Sequence, residues 1–361
     1  MMTTGEAARD RRIKSLDGFR LWAIVLIIAD HTAFIPENGP VGVGLMFVLS
    51  GFLTVYATKG HGFEDDYLSL KKWGTYYIRK IFRIIPLYYL CIIALYLFYP
   101  EYRFTDFGQM IRHLTFQECT VHFWFLQQEV FMYLFTPPLL FIIAMLRKPF
   151  KDKAKAEWVT VLLLIVLSAA CFIHSPFMLL GAGKPQEWRM YFYMMGMATA
   201  YLCRKADGIT LNTAGIVAAN IIMALSFIFT IVPSPRITAI FGLDTFQTFW
   251  ASAHEWLFGV LAIIWISAAA LCREGIVSRF FGNPVFSHLA VISYGMYLFH
   301  FQLIYILGLG NGGKLFIMVT FISICISEVL YVIYEKPLGD FGKHLSFRKL
   351  IDYYRNLCHA V

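Results

Sequence analysis

Charged residues are scarce in this sequence, and the motifs of several common enzyme classes are absent from it. Only 15% of the 361 residues are charged, against about 25% in ordinary globular domains. There is no GxSxG nucleophile elbow, no phosphate-binding P-loop and no dinucleotide fingerprint. The seven cysteines show no CxxC spacing, and the sequence holds no clustered metal ligands. These absences argue against a soluble serine hydrolase, a nucleotide-binding fold and a metalloenzyme, so we expect no metal.

Apolar residues, by contrast, are abundant: 58% of the chain is hydrophobic and the mean hydropathy is +0.62. Ten apolar segments approach or exceed the roughly 20 residues that a membrane-spanning helix needs. They cover residues 18–36, 41–58, 82–99, 121–146, 157–175, 188–203, 211–232, 249–272, 285–309 and 315–335. We expect Pro137-Pro138 to interrupt the fourth, and Glu335-Lys336-Pro337 to cap the last. The sequence thus predicts an all-α, polytopic membrane helical bundle with about ten transmembrane helices.

The positions of the basic residues predict the orientation of this bundle. Of the 31 Lys and Arg, 24 fall on the side of the N-terminus, six fall on the opposite side, and Arg20 lies within the first span. The positive-inside rule then places both termini in the cytoplasm. It also explains the net charge of +8 without a nucleic-acid partner. We predict a multi-pass protein of the cytoplasmic (inner or plasma) membrane, with tails at 1–14 and 341–361 flanking a transmembrane domain at 15–340. The first span is expected to be retained rather than cleaved.

The first predicted span carries three ionisable residues, Arg20, Asp30 and His31. Eleven residues separate Arg20 from His31, which is about three helical turns, so both side chains leave one face roughly 16 Å apart along the axis. Ionisable groups are costly in a bilayer and usually line a protein interior or a wet cavity. Histidine can also take and return a proton near neutral pH. This face is therefore predicted to be a site, although an interhelical hydrogen bond is the simpler role for His31.

A basic cluster, Arg79, Lys80 and Arg83, opens the third span on the predicted cytoplasmic side. Spacings of three and four residues place these cations on one side of a helix. Guanidinium groups suit phosphate through paired hydrogen bonds. We therefore predict a site for an anionic ligand; the alternative is plain positive-inside anchoring.

Two later segments place further polar groups at membrane depth. Glu129 follows Trp124 in the fourth span, and a carboxylate there needs a partner or must be protonated. Tyr294 and His300 lie in the ninth span, at a depth that we expect to match that of His31. Whether the two histidines meet does not follow from one sequence.

Together these segments resemble acyltransferase family 3, integral-membrane enzymes that acylate cell-envelope carbohydrates and other acceptors. The resemblance runs from residue 15 to about 340. Six motifs carry it in order: Leu16-Asp17-Gly18-Phe19-Arg20 with His31, Gly42 to Leu53, Arg79 to Pro86, Trp124-x-Leu126-x-x-Glu129, Ser293-Tyr294 to His300, and Glu335-x-Pro337. Two positions depart from the family pattern. Gly44 stands where an acidic residue is frequent, and Lys80 replaces one of two paired arginines.

The resemblance implies an acyl-CoA donor, with acetyl-CoA as the expected form, and a carbohydrate or other hydroxyl acceptor. Carried onto this sequence, it implies His31 as general base, oriented by Glu129 or Asp30. The donor phosphates would be held by Arg79, Lys80 and Arg83, with Arg20 beside the donor passage. Substrate contacts would come from Trp124, His300, Tyr294 and Ser50, the last as a candidate oxyanion donor.

A membrane transporter, such as a flippase of a lipid-linked sugar, is the alternative from another class. Such proteins often show inverted repeats and paired broken helices, and the sequence shows no internal repeat. A membrane scaffold would leave the buried Arg20, His31 and Glu129 unexplained. The oligomeric state does not follow from the sequence.

Overall fold

The regular structure of this chain is helical wherever the structure describes it. The computed structural model describes residues 12–56, 69–99, 104, 106–119, 121–174, 189–206, 209–232 and 234–344. Within these ranges there is no β-strand. The helices are α1 Ser15–His31, α2 Gly39–Tyr56, α3 Leu70–Phe98, α4 Phe107–Leu114, α5 Trp124–Arg147, α6 Lys153–His174, α7 Met190–Lys205, α8 Thr213–Phe229, α9 Pro235–Phe241, α10 Asp244–Leu271, α11 Ile276–Phe281, α12 Pro284–Leu307, α13 Gly313–Leu330 and α14 Lys336–His344. Most of the predicted tails, 1–14 and 341–361, lies outside the described residues.

Each of the ten predicted spans overlaps one of these helices. In the described part of the chain, six segments are long and apolar enough to cross a membrane: Gly39–Tyr56, Lys72–Phe98, Val121–Arg147, Lys153–Phe172, Pro284–Leu307 and Gly313–Gly342. The chain is therefore an all-helical integral membrane protein, as predicted. The helices in the other four spans are shorter or less apolar; α1, for example, has 17 residues. The total of about ten crossings and the cytoplasmic placement of both termini stay predictions.

Local sequence signals explain several helix ends. The side chain of Asn283 accepts a hydrogen bond from the backbone N–H of Phe286 at 2.9 Å, and Pro284 occupies the first helical position of α12. That combination satisfies a backbone donor and fixes the first φ angle. At the other end of α12, Gly308 adopts a left-handed conformation with φ of 54°, which glycine tolerates best. Asn212 caps α8 as Asn283 caps α12.

The Pro137-Pro138 pair does not interrupt α5, contrary to the sequence prediction. The helix runs from Trp124 to Arg147 with both prolines inside it. Pro138 has no backbone N–H, so it cannot donate to the carbonyl of Leu134 four residues earlier. The hydroxyl of Tyr77, on α3, donates to that carbonyl at 2.8 Å. This side chain replaces a missing backbone donor and helps the helix to continue through the proline pair.

The last span also continues beyond its predicted end. Glu335 was expected to cap it, but it ends a π-helical turn, Tyr331–Glu335, that leads directly into α14. Phe82 and Phe341 meet edge to face, with ring centroids 5.6 Å apart, so α14 packs on α3. Tertiary packing on α3 therefore extends the helix past the Glu-x-Pro motif.

The described helices fall into two compact units. Of the described residues, the first contains 12–56 together with those from 192 to 324, and the second contains those from 69 to 191 together with 325–344. In the first unit, α1 is packed between α2, α12 and α11. Gly18 and Gly42 permit this packing, because a Cβ there would collide with the carbonyls of Phe281 and Ala23.

Two aromatic rings pack closely in the core of the first unit: Phe19 and Trp265 are almost fully buried, with ring centroids 4.1 Å apart. The second unit is built on α3, which packs against α4, α5 and α14. Each unit thus carries part of the predicted site, α1 and α12 in the first and α3 and α5 in the second.

Candidate active site

Arg20 and His31 lie on one uninterrupted helix. α1 runs from Ser15 to His31, so the three-turn spacing predicted between the two side chains applies to it directly. Both side chains are half-buried. His31 is the last residue of the helix, where it meets the loop of residues 32–38.

The side chain of His31 contacts His300, which is fully buried on α12. His31 Nδ1 lies 2.8 Å from His300 Nε2. The two rings are within 6° of parallel, and their centroids are 5.1 Å apart. This separation is close to the N···N distance plus the two ring radii, so the imidazoles lie edge to edge in one plane. The ring nitrogens therefore point at each other along the direction of their in-plane lone pairs.

Two further contacts define this histidine pair. His300 Nδ1 lies 2.7 Å from the backbone carbonyl oxygen of Tyr297, one turn earlier on α12. The ring of Phe301 stands perpendicular to His31, with centroids 5.2 Å apart. Within the described part of the chain, His31 Nε2 makes no hydrogen bond. The structure thus brings together two histidines that the sequence placed only at similar depth.

The side chain of Asp30 binds the backbone that follows α1. Its carboxylate accepts hydrogen bonds from the backbone N–H groups of Glu37, Asn38 and Gly39. These donors lead into the first turn of α2, so Asp30 caps that helix from the end of α1. A Cβ on Gly39 would collide with the Asp30 carboxylate. The contacts that the structure describes for Asp30 are those of a structural cap, and its catalytic role stays a prediction.

The loop of residues 32–38 is held by polar contacts that the sequence did not reveal. Asn38 donates through Nδ2 to the carbonyl of Thr230 at 2.6 Å. Ser234 donates to the carbonyl of Pro36 at 2.9 Å, and Arg236 donates to that of Phe34 at 3.0 Å.

The start of the loop, directly after His31, is also held. The backbone N–H of Gly312 donates to the carbonyl of Thr32 at 2.7 Å. These bonds fix the end of α1 and hence the position of His31.

Within the same loop, Ala33 and Glu37 adopt positive φ angles of 52° and 67°. Left-handed backbone costs about 1 kcal/mol or more for non-glycine residues and is often found near functional sites. The cap and the loop contacts offset this cost. The loop next to His31 is therefore strained and firmly tied.

The other two predicted residues of the first unit lie on the helices next to α1. Ser50 is half-buried on α2, and its carbonyl accepts a hydrogen bond from Thr54 at 2.9 Å. Tyr294 is half-buried on α12, six residues before His300. Six residues turn a helix by about 240°, so Tyr294 projects from another side of α12 than His300.

In the second unit, Glu129 is bound by Tyr133. The Tyr133 hydroxyl donates to Glu129 Oε1 at 2.6 Å, one turn apart on α5. Lys80 Nζ lies 3.6 Å from the centroid of the same tyrosine ring and 5.6 Å from that of Tyr76. A cation held over an aromatic face is attracted by the ring quadrupole. Lys80 and Glu129 are thus linked through one tyrosine, which sequence reasoning had not singled out.

The basic cluster divides in the structure. Arg79 and Arg83 are exposed, four residues apart on α3, whereas the ammonium of Lys80 is turned to the tyrosine rings. The charge of Arg83 acts on Glu335 in the π-helical turn. Two guanidinium groups therefore stand at the surface, where an anion can reach them.

The ring of Trp124 faces a cation of its own unit. The guanidinium of Arg189 lies 5.3 Å from the indole centroid. Gln128 lies one turn beyond Trp124 on α5, and its side chain accepts a hydrogen bond from the backbone N–H of Arg189 at 2.9 Å. This bond fixes the backbone of Arg189 next to Trp124. One face of Trp124 is thus covered by Arg189. Among the described residues, no three His, Cys, Asp or Glu side chains gather as metal ligands would.

The fold and the site define a helical membrane protein in which His31, half-buried at the end of the helix that carries Arg20, contacts the buried His300. Such a site fits a membrane-embedded transferase or a transporter, and the family comparison favours the transferase. Residues 13–333 match the family described as "Acyltransferase domain", so the chain belongs to this acyltransferase family.

Two curated relatives are similar to the chain. The peptidoglycan O-acetyltransferase OatA of Listeria monocytogenes (serovar 1/2a) is 33% identical over 94 residues, which is 25% of this chain and 15% of the relative. YrhL of Bacillus subtilis (strain 168), provisionally named a peptidoglycan O-acetyltransferase, is 26% identical over 92% of this chain and 56% of its own length. The chain thus spans only part of each relative. No solved structure matches it significantly.

Proposed function

We propose that this protein transfers an acyl group, most simply acetyl, from acyl-CoA to a hydroxyl group of a cell-envelope carbohydrate. Membership of the acyltransferase family supports the reaction type. The names of two relatives support an acetyl group and a peptidoglycan-like acceptor. The observation that carries the proposal is the half-buried imidazole of His31, which ends α1 and is held in plane by His300.

In this mechanism His31 acts as general base. It takes the proton of the acceptor hydroxyl as that oxygen attacks the thioester carbonyl carbon. The new C–O bond forms and the C–S bond breaks, and His31 then returns the proton to the departing thiolate, so that the thiol and the ester are released. The base is regenerated and no external reductant or oxidant is needed.

Donor binding is assigned to the cations. The exposed guanidiniums of Arg79 and Arg83 fit phosphate oxygens, because each can donate two parallel hydrogen bonds. Lys80 contributes positive charge from its place over Tyr133 rather than from the surface. Arg20, three turns from His31 on α1, is placed beside the donor arm, and an axial separation of about 16 Å is of the order that such an arm must cover.

The proposal is tested with purified protein in lipid nanodiscs, radiolabelled acetyl-CoA and peptidoglycan fragments as acceptor. His31→Ala should abolish transfer while expression and membrane insertion stay near normal. The matched control is His288→Ala, which removes an exposed histidine from α12. Transfer by His31→Ala at the wild-type rate would refute the assignment of the base. Translocation of a lipid-linked sugar without consumption of acetyl-CoA would instead identify a transporter.

A further inference from the structure

We propose that His300 is a positioning residue that sets the tautomer of His31, so that His31 Nε2 is the atom that accepts the proton. This inference rests on the proposed function and deepens it. The sequence had suggested only a substrate contact for His300. The argument starts at the backbone of α12 and passes outward through the two rings.

The first step concerns His300 Nδ1. Its partner at 2.7 Å is the carbonyl oxygen of Tyr297, and a carbonyl oxygen can only accept a hydrogen bond. The proton of this bond must therefore reside on His300 Nδ1.

The second step concerns His300 Nε2. The side chain is fully buried, and burial of an ion is costly, so the neutral ring is favoured. A neutral imidazole protonated at Nδ1 has its lone pair on Nε2. That nitrogen therefore accepts, and the proton in the 2.8 Å contact belongs to His31 Nδ1.

The third step concerns His31 itself. With Nδ1 protonated, the lone pair of the neutral ring lies on Nε2, which makes no hydrogen bond within the described part of the chain. The ordered sequence of donors and acceptors thus runs from the Tyr297 carbonyl through His300 to an available base at His31 Nε2. Phe301, packed edge-on, limits rotation of the His31 ring.

This arrangement assigns to a histidine the orienting task that a carboxylate performs in Ser-His-Asp triads. Asp30, the adjacent carboxylate, is occupied by the backbone of residues 37–39. When His31 takes the acceptor proton at Nε2, both of its nitrogens carry protons. The hydrogen bond from Nδ1 to His300 then spreads the positive charge until the proton leaves for the thiolate.

The test compares two substitutions of His300. In His300→Gln, the amide oxygen can take the place of Nε2 and accept from His31 Nδ1; in His300→Leu, a side chain of related bulk offers no acceptor. We expect His300→Leu to lower kcat by about 100-fold or more, in the range of lost general-base positioning, with KM values for donor and acceptor within about twofold. We expect His300→Gln to recover most of kcat. Both variants are checked for monodispersity and thermal stability.

A spectroscopic measurement keeps the inference testable if His300→Leu does not fold. Solid-state NMR of the ¹⁵N-histidine-labelled protein, with His31→Ala for assignment, should show His31 as the Nδ1–H tautomer. An Nε2–H tautomer in the folded wild type would overturn the inference. A wild-type kcat in His300→Leu would also overturn it, as would equal losses of kcat in folded His300→Gln and His300→Leu. In those cases an inactive His31→Ala would leave the proposed function standing. An active His31→Ala would overturn both.

Discussion

The ammonium of Lys80 lies 3.6 Å from the centre of the Tyr133 ring, and the hydroxyl of that ring binds Glu129. A cation and a carboxylate on two helices of the second unit therefore share one aromatic side chain. Lys80, which replaces one of the family's paired arginines, thus contacts a tyrosine ring of its own unit. We therefore expect a substitution of Lys80 to affect Glu129 through the position of the Tyr133 ring.

We predict that Tyr133→Phe acts on Glu129 rather than on Lys80. The substitution keeps the ring under the cation but removes the 2.6 Å hydrogen bond, and hydrogen bonds to charged groups contribute about 1.5–3 kcal/mol. The kcat/KM of Tyr133→Phe should fall to that of Glu129→Gln. In a double-mutant cycle the two changes should be strongly non-additive, as measured by kcat/KM. Additive losses would show that Tyr133 and Glu129 act independently.

We predict that Arg79→Ala and Arg83→Ala each raise KM for acyl-CoA, by about tenfold for the loss of one charge-assisted phosphate contact. The effect should shrink as salt screens the exposed charges, and kcat should change little. Lys148→Ala, which removes an exposed cation from the same predicted side of the membrane, is the control. A fall in kcat at unchanged KM would contradict a role in donor binding.

Asp30 should matter for stability more than for catalysis. Asp30→Ala leaves backbone donors at residues 37–39 without their acceptor, and an unsatisfied buried donor costs about 1–3 kcal/mol. The midpoint of thermal unfolding should fall, while kcat of the protein that remains folded stays within about tenfold, the lower end of losses from removing an outer-shell contact. Gly39→Ala should mimic this destabilisation, because its methyl group displaces the Asp30 carboxylate. If Asp30→Asn were fully stable but inactive, Asp30 would be catalytic after all.

The predicted orientation can be checked by cysteine labelling. In a cysteine-free background, Lys314→Cys should react with a membrane-impermeant maleimide added outside intact cells, whereas Lys148→Cys should react only after permeabilisation. Both positions are exposed in the structure, so solvent access within the fold does not separate them. The opposite pattern would invert the topology.

The sequence predicted features that depend on position along a helix. The apolar runs located a helix in every predicted span, and the eleven-residue spacing correctly placed Arg20 and His31 on one uninterrupted α1. The sequence also predicted a similar depth in the membrane for His31 and His300, because depth follows from counting residues along each span. That the two rings meet depends on the rotation of α12 about its own axis, which one sequence does not encode.

Other features were missed because a side chain can satisfy a backbone group far away in the sequence. Asp30 looked like an intramembrane acid, yet its partners are backbone N–H groups seven to nine residues later. Pro137-Pro138 looked like a break, yet Tyr77 supplies a donor from another helix. Arg189 covers Trp124 across a segment of more than 60 residues. Such contacts leave no periodic pattern.

The imidazole–imidazole contact has an electrostatic consequence. Where a carboxylate steadies the base, a fixed negative charge stands close to the reacting atoms and repels incoming anions. In the mechanism proposed above, the group that steadies His31 is the neutral imidazole of His300. A polyphosphorylated donor can then bring its thioester to the imidazole, and a thiolate can depart, without opposition from the partner of the base.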